Sequence, residues 1–304
     1  MASTLTHRQG MALVVTAGIV WSLNGLFIRM IGDGAGAWQV LFYRSLGMVP
    51  ALMLWLALTS GGGSIAARIR GTGWAGLIGG LGLIVAFSGA IYALQNTTIA
   101  SAAFLFAAAP LITAMLARPV LGEHVRATTW AAIAIAGVGI FLMMRDDILR
   151  DGLSLASGNF AALASAAGFS VFTLSQRAAR LGDSTPSLLI GTCLSLAVAF
   201  TMITVRGEGL SVPPSAWILA MVMGAVTITG GMALFSAGVR VIPASEAGLL
   251  TLLEVLLSPV WVWIFFDERV DTNTLVGGLT VLIGLVLHAL GATRRPLAAG
   301  PRPV

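Results

Sequence analysis

Apolar positions fill ten stretches between Met11 and Gly291, and only short polar breaks interrupt them. Each stretch is about as long as a bilayer is thick, since roughly 20 residues at 1.5 Å rise cross the ~30 Å hydrocarbon layer. Lipid offers no partner for an unpaired backbone N–H or C=O, so the stretches are predicted as helices. They fall at about 10–31, 36–58, 73–95, 98–119, 126–144, 154–177, 185–205, 215–239, 244–266 and 272–292. The breaks carry the polar residues, as in SGGGSIAARIRGTG, QNTT, GEHVRA, RDDILRDG, RLGDSTP and FDERVDTN. An even number of crossings puts both ends of the chain on one side. Ten crossings also divide into two fives, and an odd-numbered unit that repeats must insert upside down the second time.

Composition agrees with burial in lipid. The 304 residues are 57% hydrophobic and 10% charged, with a mean hydropathy of +0.94; a soluble domain carries about 25% charged residues. The net charge of +5 comes entirely from arginine, with no lysine. Those arginines are scattered over span ends, which argues against nucleic-acid binding. Placing the N-terminus in the cytoplasm puts eleven of the 17 arginines on the cytoplasmic side, the orientation expected from the positive-inside rule. The single cysteine, Cys193, lies within a span, so no intrachain disulfide or thiolate cluster is expected. No cleavable signal peptide is expected either.

The chain matches itself when slid by 145 residues. Glu123 then lies over Glu268, Thr129 over Thr274 and Gly139 over Gly284, while an offset near 148 puts Trp21 over Phe169 and Arg29 over Arg177. Span order and loop position repeat together, which points to a duplication with units 1–147 and 148–304. Small residues four apart, such as Gly76 and Gly80, allow close helix approach.

Polar groups inside spans are costly and mark an interior face or a pathway. Asn24 precedes Gly25 in span 1; it serves either a local helix break open to ligand or a bond to a neighbouring helix. Ser88, Tyr92 and Gln95 share a face of span 3, span 4 carries Phe104, Phe106, Pro110 and Thr113, and Ser165, Phe169, Thr173 and Gln176 form a stripe on span 6. Aromatic rings beside hydroxyls suit a cavity for a ligand with an apolar body and a few polar groups; the other reading is helix packing with an interfacial aromatic belt. Glu246 and Glu254 are the carboxylates within a span, eight apart on span 9. They fit a proton-coupling site or a contact for an ammonium group. Alternatively, Glu246 is a wet helix end after Pro243, and Glu254 pairs with Arg44, which could instead face a substrate carboxylate. His7, His124 and His288 are dispersed, and neither a phosphate-binding GxxxxGK[ST] loop nor a GxSxG elbow occurs. An enzyme, a metal site and a resident cofactor are therefore not expected.

Trp21-Ser22 in span 1, Arg44 in span 2, Pro110 in span 4 and Glu123 thirteen residues later resemble the first half of an EamA-type repeat, and Glu254 with Asp267-Glu268 resembles the second. This is the drug/metabolite transporter superfamily, and the resemblance covers essentially the whole chain. One departure is that Val255 follows Glu254 where the family usually has proline, the proline here coming at Pro259. The resemblance implies a carrier of the bacterial inner membrane, often an exporter of amino acids or related metabolites. The aromatic set Tyr92, Phe104 and Phe169 is most similar to the aromatic amino-acid exporters of the YddG type.

The expectation is an all-α membrane protein of ten transmembrane helices in two inverted five-helix repeats, with the termini in the cytoplasm. Its partners would be the lipid bilayer and a small-molecule substrate, and a monomer is compatible with the sequence. Trp21, Tyr92, Phe104 and Phe169 would touch the apolar part of the substrate, and Asn24, Ser88 and Thr173 would hydrogen-bond to it. Arg44, Glu246 and Glu254 are the charge or coupling candidates, and Pro110 and Pro259 the hinges. Alternating access would come from rocking one half against the other. The other transport reading is broad efflux of amphipathic or cationic compounds.

Overall fold

The computed structural model describes residues 5–123, 125–151 and 156–293; His124 falls outside them. All ten spans are present as helices long and apolar enough to cross a membrane. Spans 1 and 2 are α1 (His7–Ile31) and α2 (Ala37–Thr59), followed by a short helix α3 (Ile65–Gly71). Span 3 is α4 (Gly73–Asn96), and span 4 is divided into α5 (Ile99–Phe106) and α6 (Ala109–Leu121). Spans 5, 6 and 7 are α7 (Ala127–Asp151), α8 (Ser157–Ala178) and α9 (Thr185–Arg206). Span 8 runs through α10 (Pro214–Val222), a π-helical segment (Met223–Gly230) and α11 (Gly231–Gly238). Spans 9 and 10 are α12 (Ala244–Phe266) and α13 (Thr272–Thr293).

Three departures from the sequence reading have local causes. RDDILRDG was expected as a loop, but α7 continues to Asp151, because nothing before Gly152 interrupts helical geometry. The arginine-rich break after span 2 forms α3, whose start is capped by the Ser64 hydroxyl accepting from the Ala67 N–H. Span 4 breaks at Ala107–Ala108, just before Pro110, which cannot donate a helical hydrogen bond.

Backbone geometry fixes the repeat register. Thr98 and Pro243, 145 apart, are the N-caps of α5 and α12, at φ −69°, ψ 148° and φ −60°, ψ 144°. Gly122 and Asp267, again 145 apart, are left-handed caps ending spans 4 and 9. Gly32 and Arg180, 148 apart, both sit at φ 52° just past spans 1 and 6. The positive-φ non-glycine residues, Arg180 and Asp267, thus occupy positions where the first half has glycine.

The halves are interleaved rather than side by side. Span 1 packs on spans 8 and 9, and its counterpart span 6 packs on spans 3 and 4. Span 2 packs on span 8 as span 7 packs on span 3, while the pairs 2·7, 5·10 and 4·9 join counterparts directly. This is the contact pattern of a pseudo-two-fold, and it changes the expected motion. Each tightly packed group, spans 1, 8 and 9 or spans 3, 4 and 6, takes helices from both halves. A motion of one sequence half against the other would therefore have to pull both groups apart.

Ends of odd-numbered spans share a face with the starts of even-numbered ones. We call the side of His7 the terminal face and the side of Arg29 the far face. Within the spans most hydroxyls are satisfied by their own helix, as where Ser88 donates to the Ile84 carbonyl at 2.7 Å and Thr192 to Leu188 at 2.8 Å.

Candidate functional site

The two groups meet mainly in their far-face halves. Span 9 packs on span 4 through α5, the piece that lies toward the far face. Gly25 of span 1 closes on Ile99 at the same level. Toward the terminal face α6 makes no comparable packing on span 9, and the region between the groups there is the candidate cleft. Span 6 shows where it opens. Its Gly168 and Ser165 side meets span 3, and Ser170 donates to the Ala109 carbonyl of α6 at 3.0 Å. Phe169 and Thr173 project between those two contacts, opposite the lipid-facing Phe160 and Val171. Phe169 is nevertheless 44% exposed, so the space in front of it is open.

Trp21, the counterpart of Phe169, projects from span 1 onto span 8. Its indole lies against Gly231 and 5.4 Å from the Phe235 ring. Glu254 is on the span 1 side of α12, one turn from Leu250, which packs on Gly18, and one turn from Ser258, which donates to the Ser22 carbonyl. Its carboxylate is half-buried and has no ion-pair partner among the described residues. Phe169 and Thr173 are thus the sequence candidates that look toward the candidate cleft, while Trp21 and Glu254 are placed within the group of spans 1, 8 and 9.

The other candidates are placed elsewhere. Asn24 makes the helix–helix bond: its Oδ1 accepts from Thr227 at 2.7 Å in the π segment, and its Nδ2 donates to the Trp21 carbonyl. Phe104 is 3% exposed and its ring covers Gly278 of span 10, so it fills a helix contact rather than the cleft. Ser88 and Tyr92 share the stripe of Trp74, Leu81 and Val85, the outward side of span 3; the Tyr92 hydroxyl is 3.4 Å from Ser157. The common face read from the sequence is real, but it is the face away from the packing partners. Arg44 is buried over the Phe87 ring at 4.4 Å, with Nε and one terminal nitrogen lacking hydrogen-bond partners, and it forms no pair with Glu254. Glu246 meets His7 at 2.9 Å, tying the terminal-face ends of spans 1 and 9. Pro110 lies in the first turn of α6 after the break, whereas Pro259 sits inside a continuous α12.

Sequence reasoning missed Thr227 and Gly231. The signal was the run of small and hydroxyl residues in MGAVTITGG, which tolerates an irregular helical turn. A π segment inside a span is a recurrent mark of functional sites.

The EamA-like transporter family matches residues 8–145 and again residues 156–290. The chain belongs to that family. Its fold and membrane embedding therefore serve transport of a small molecule. Relatives of near-equal length agree. An uncharacterized transporter of Pseudomonas aeruginosa is 24% identical over 96% of this chain and 97% of its own. The pseudopaline exporter of the same species is 23% identical over 95% and 98%. A crystal structure 17% identical covers 96% of this EamA-like transporter and 98% of that chain with a TM-score of 0.63, which supports the fold.

Proposed function

We propose that this EamA-like transporter is a secondary carrier that exports amino acids with apolar or aromatic side chains, and related metabolites, across the bacterial inner membrane, with its terminal face in the cytoplasm. The observation that carries this reading is the exposed Phe169 ring on the side of span 6 opposite its outward face, with Trp21 as its repeat counterpart on span 1 and Glu254 unpaired among the described residues on span 9. Two aromatic faces take an apolar body, and an unpaired carboxylate takes an ammonium group. Export is supported by the name of the Pseudomonas relative, a pseudopaline exporter.

A second reading, efflux of amphipathic cations, is favoured by one specific observation. Arg44, the in-span arginine that could have received a substrate carboxylate, is buried in span 2 with its guanidinium over the Phe87 ring of span 3. Liposomes holding only the purified protein separate the two. Labelled phenylalanine, tryptophan, threonine and an organic cation are offered with and without a pH gradient. Phenylalanine and tryptophan flux, reduced at least tenfold by Phe169→Ala, supports amino-acid export. Cation flux alone, driven by protons and lost in Glu254→Gln, supports efflux. Flux unchanged in both variants at normal expression removes the cleft from the pathway.

A further inference from the structure

Two arginine–glutamate pairs stand at counterpart positions on opposite faces. On the far face, Arg29 at the end of span 1 donates through Nε to Glu268, just past span 9, at 2.7 Å. On the terminal face, Arg177 at the end of span 6 donates to Glu123, just past span 4, at 2.5 Å. Arg29 and Arg177 are 148 apart, and Glu123 and Glu268 are 145 apart, the same offsets that relate the helix caps.

The pairs differ in what else they hold. Arg29 also donates to the carbonyls of Leu94 and Thr97, both at 3.0 Å, and Glu268 accepts the Ile99 N–H at 2.7 Å. Those three backbone groups belong to the turn between spans 3 and 4, so this pair straps the group of spans 1, 8 and 9 to the group of spans 3, 4 and 6. The repeat offset places the equivalent backbone groups at Val239, Ile242 and Ala244, in the turn between spans 8 and 9. Among the described residues, neither Arg177 nor Glu123 bonds to them; the pair stays within its own group. Exposure follows: side chains of Arg29 and Glu268 are 25% and 19% exposed, those of Arg177 and Glu123 are 44% and 45%.

We propose that the two pairs are reciprocal latches of the transport cycle. The far-face latch is closed in this structure and the terminal-face latch is released. When the far-face latch opens, the terminal-face one closes by Arg177 donating to the carbonyls of Val239 and Ile242 and Glu123 accepting the Ala244 N–H. The latches use backbone partners, so they act regardless of what the cleft holds. The inference rests on alternating access by this chain but not on the identity of the solute.

The test is double electron–electron resonance on protein in nanodiscs, in a Cys193→Ser background. Labels at Met30→Cys and Asn96→Cys report the far face, and labels at Arg180→Cys and Arg240→Cys report the terminal face. Unmodified latches should give a short, narrow far-face distance and a longer, broader terminal-face one. Glu268→Gln should lengthen the first by several ångströms and shorten the second. Glu123→Gln, at an exposed position that does not threaten folding, should leave the far face closed and remove any population with a shortened terminal face. Changes confined to one face in Glu268→Gln, or a terminal-face closed population that survives in Glu123→Gln, overturn the proposal. Reciprocal distances without flux of any solute tested leave the latches standing and count against the substrate reading alone.

Discussion

Spans 3 and 6 cross backbone against backbone, whereas their counterparts, spans 8 and 1, cross partly through an indole ring. A Cβ at Gly82 would strike the Gly168 carbonyl, and one at Gly168 would strike the Gly82 carbonyl. The three atoms nearest a Cβ at Gly231, by contrast, all belong to the Trp21 ring, although nearer the terminal face a Cβ at Gly238 would lie 2.7 Å from the Gly10 carbonyl. The first crossing has no slack, because neither backbone can yield without unpicking helical hydrogen bonds in lipid. The second has a side chain that can turn, next to a π segment. The repeat therefore keeps backbone register while differing at this level: the crossing of spans 3 and 6 is rigid, and that of spans 8 and 1 is adjustable around Trp21.

Single methyl groups break this comparison most sharply. Gly168→Ala should destabilise the protein by about 3 kcal/mol, at the upper end of overpacking costs, and lower the melting temperature in detergent accordingly. Gly231→Ala should cost only about 1 kcal/mol as the indole shifts, yet it should impair flux by moving Trp21. Equal losses in the two variants would show that the crossings are equally tight.

The caps sharpen the comparison at a smaller scale. Gly32→Ala and Gly122→Ala should each cost about 1 kcal/mol, the penalty of a Cβ in the left-handed region. Asp267→Gly should stabilise by a few tenths of a kcal/mol, since glycine relieves that penalty but widens the unfolded ensemble. Its loose pair with Arg269, at 3.7 Å and largely exposed, adds little to oppose this. Melting curves of the three variants check the signs.

The smallest expected effect lies in the loop after span 6. Burial raises the pKa of the Asp183 carboxyl, but hydrogen bonds from the Thr185 backbone and hydroxyl and the Arg68 guanidinium outweigh it and hold the pKa below the usual carboxylate range. Because the folded-state pKa is depressed, the contribution is complete above the ordinary value and is lost as pH falls through the folded one. The melting difference between Asp183→Asn and the native protein should be constant from neutral pH down to about 5 and shrink below about 4.

The fold was legible because lipid makes it so. Every backbone group must be paired within its own helix, hence a hydrophobic run of bilayer length admits one structure, and the ends of nearly all ten spans fell within a few residues of expectation. The repeat was legible in Glu123 and Glu268. The site was legible only in part. A sequence stripe shows that Ser88 and Tyr92 share a face, but not whether that face looks inward; that depends on which side of span 3 meets spans 6 and 7. Phe104 could not be placed without knowing that Gly278 of span 10 leaves room for its ring. The strap from Arg29 onto the turn between spans 3 and 4 was hidden because the Leu94 and Thr97 partners are backbone atoms, which every residue has.

If the two groups part toward the terminal face, Thr173, on the Phe169 side of span 6, is reached from that face and not from the far face, where Arg29 and Glu268 strap the groups together. Labelling of Thr173→Cys, in the Cys193→Ser background, by a membrane-impermeant maleimide tests it most directly. Vesicles of known sidedness, read from an N-terminal tag, present one face at a time. Rapid labelling is expected from the face that carries the tag, and little from the other. Labelling from the far face, or from neither, would contradict it.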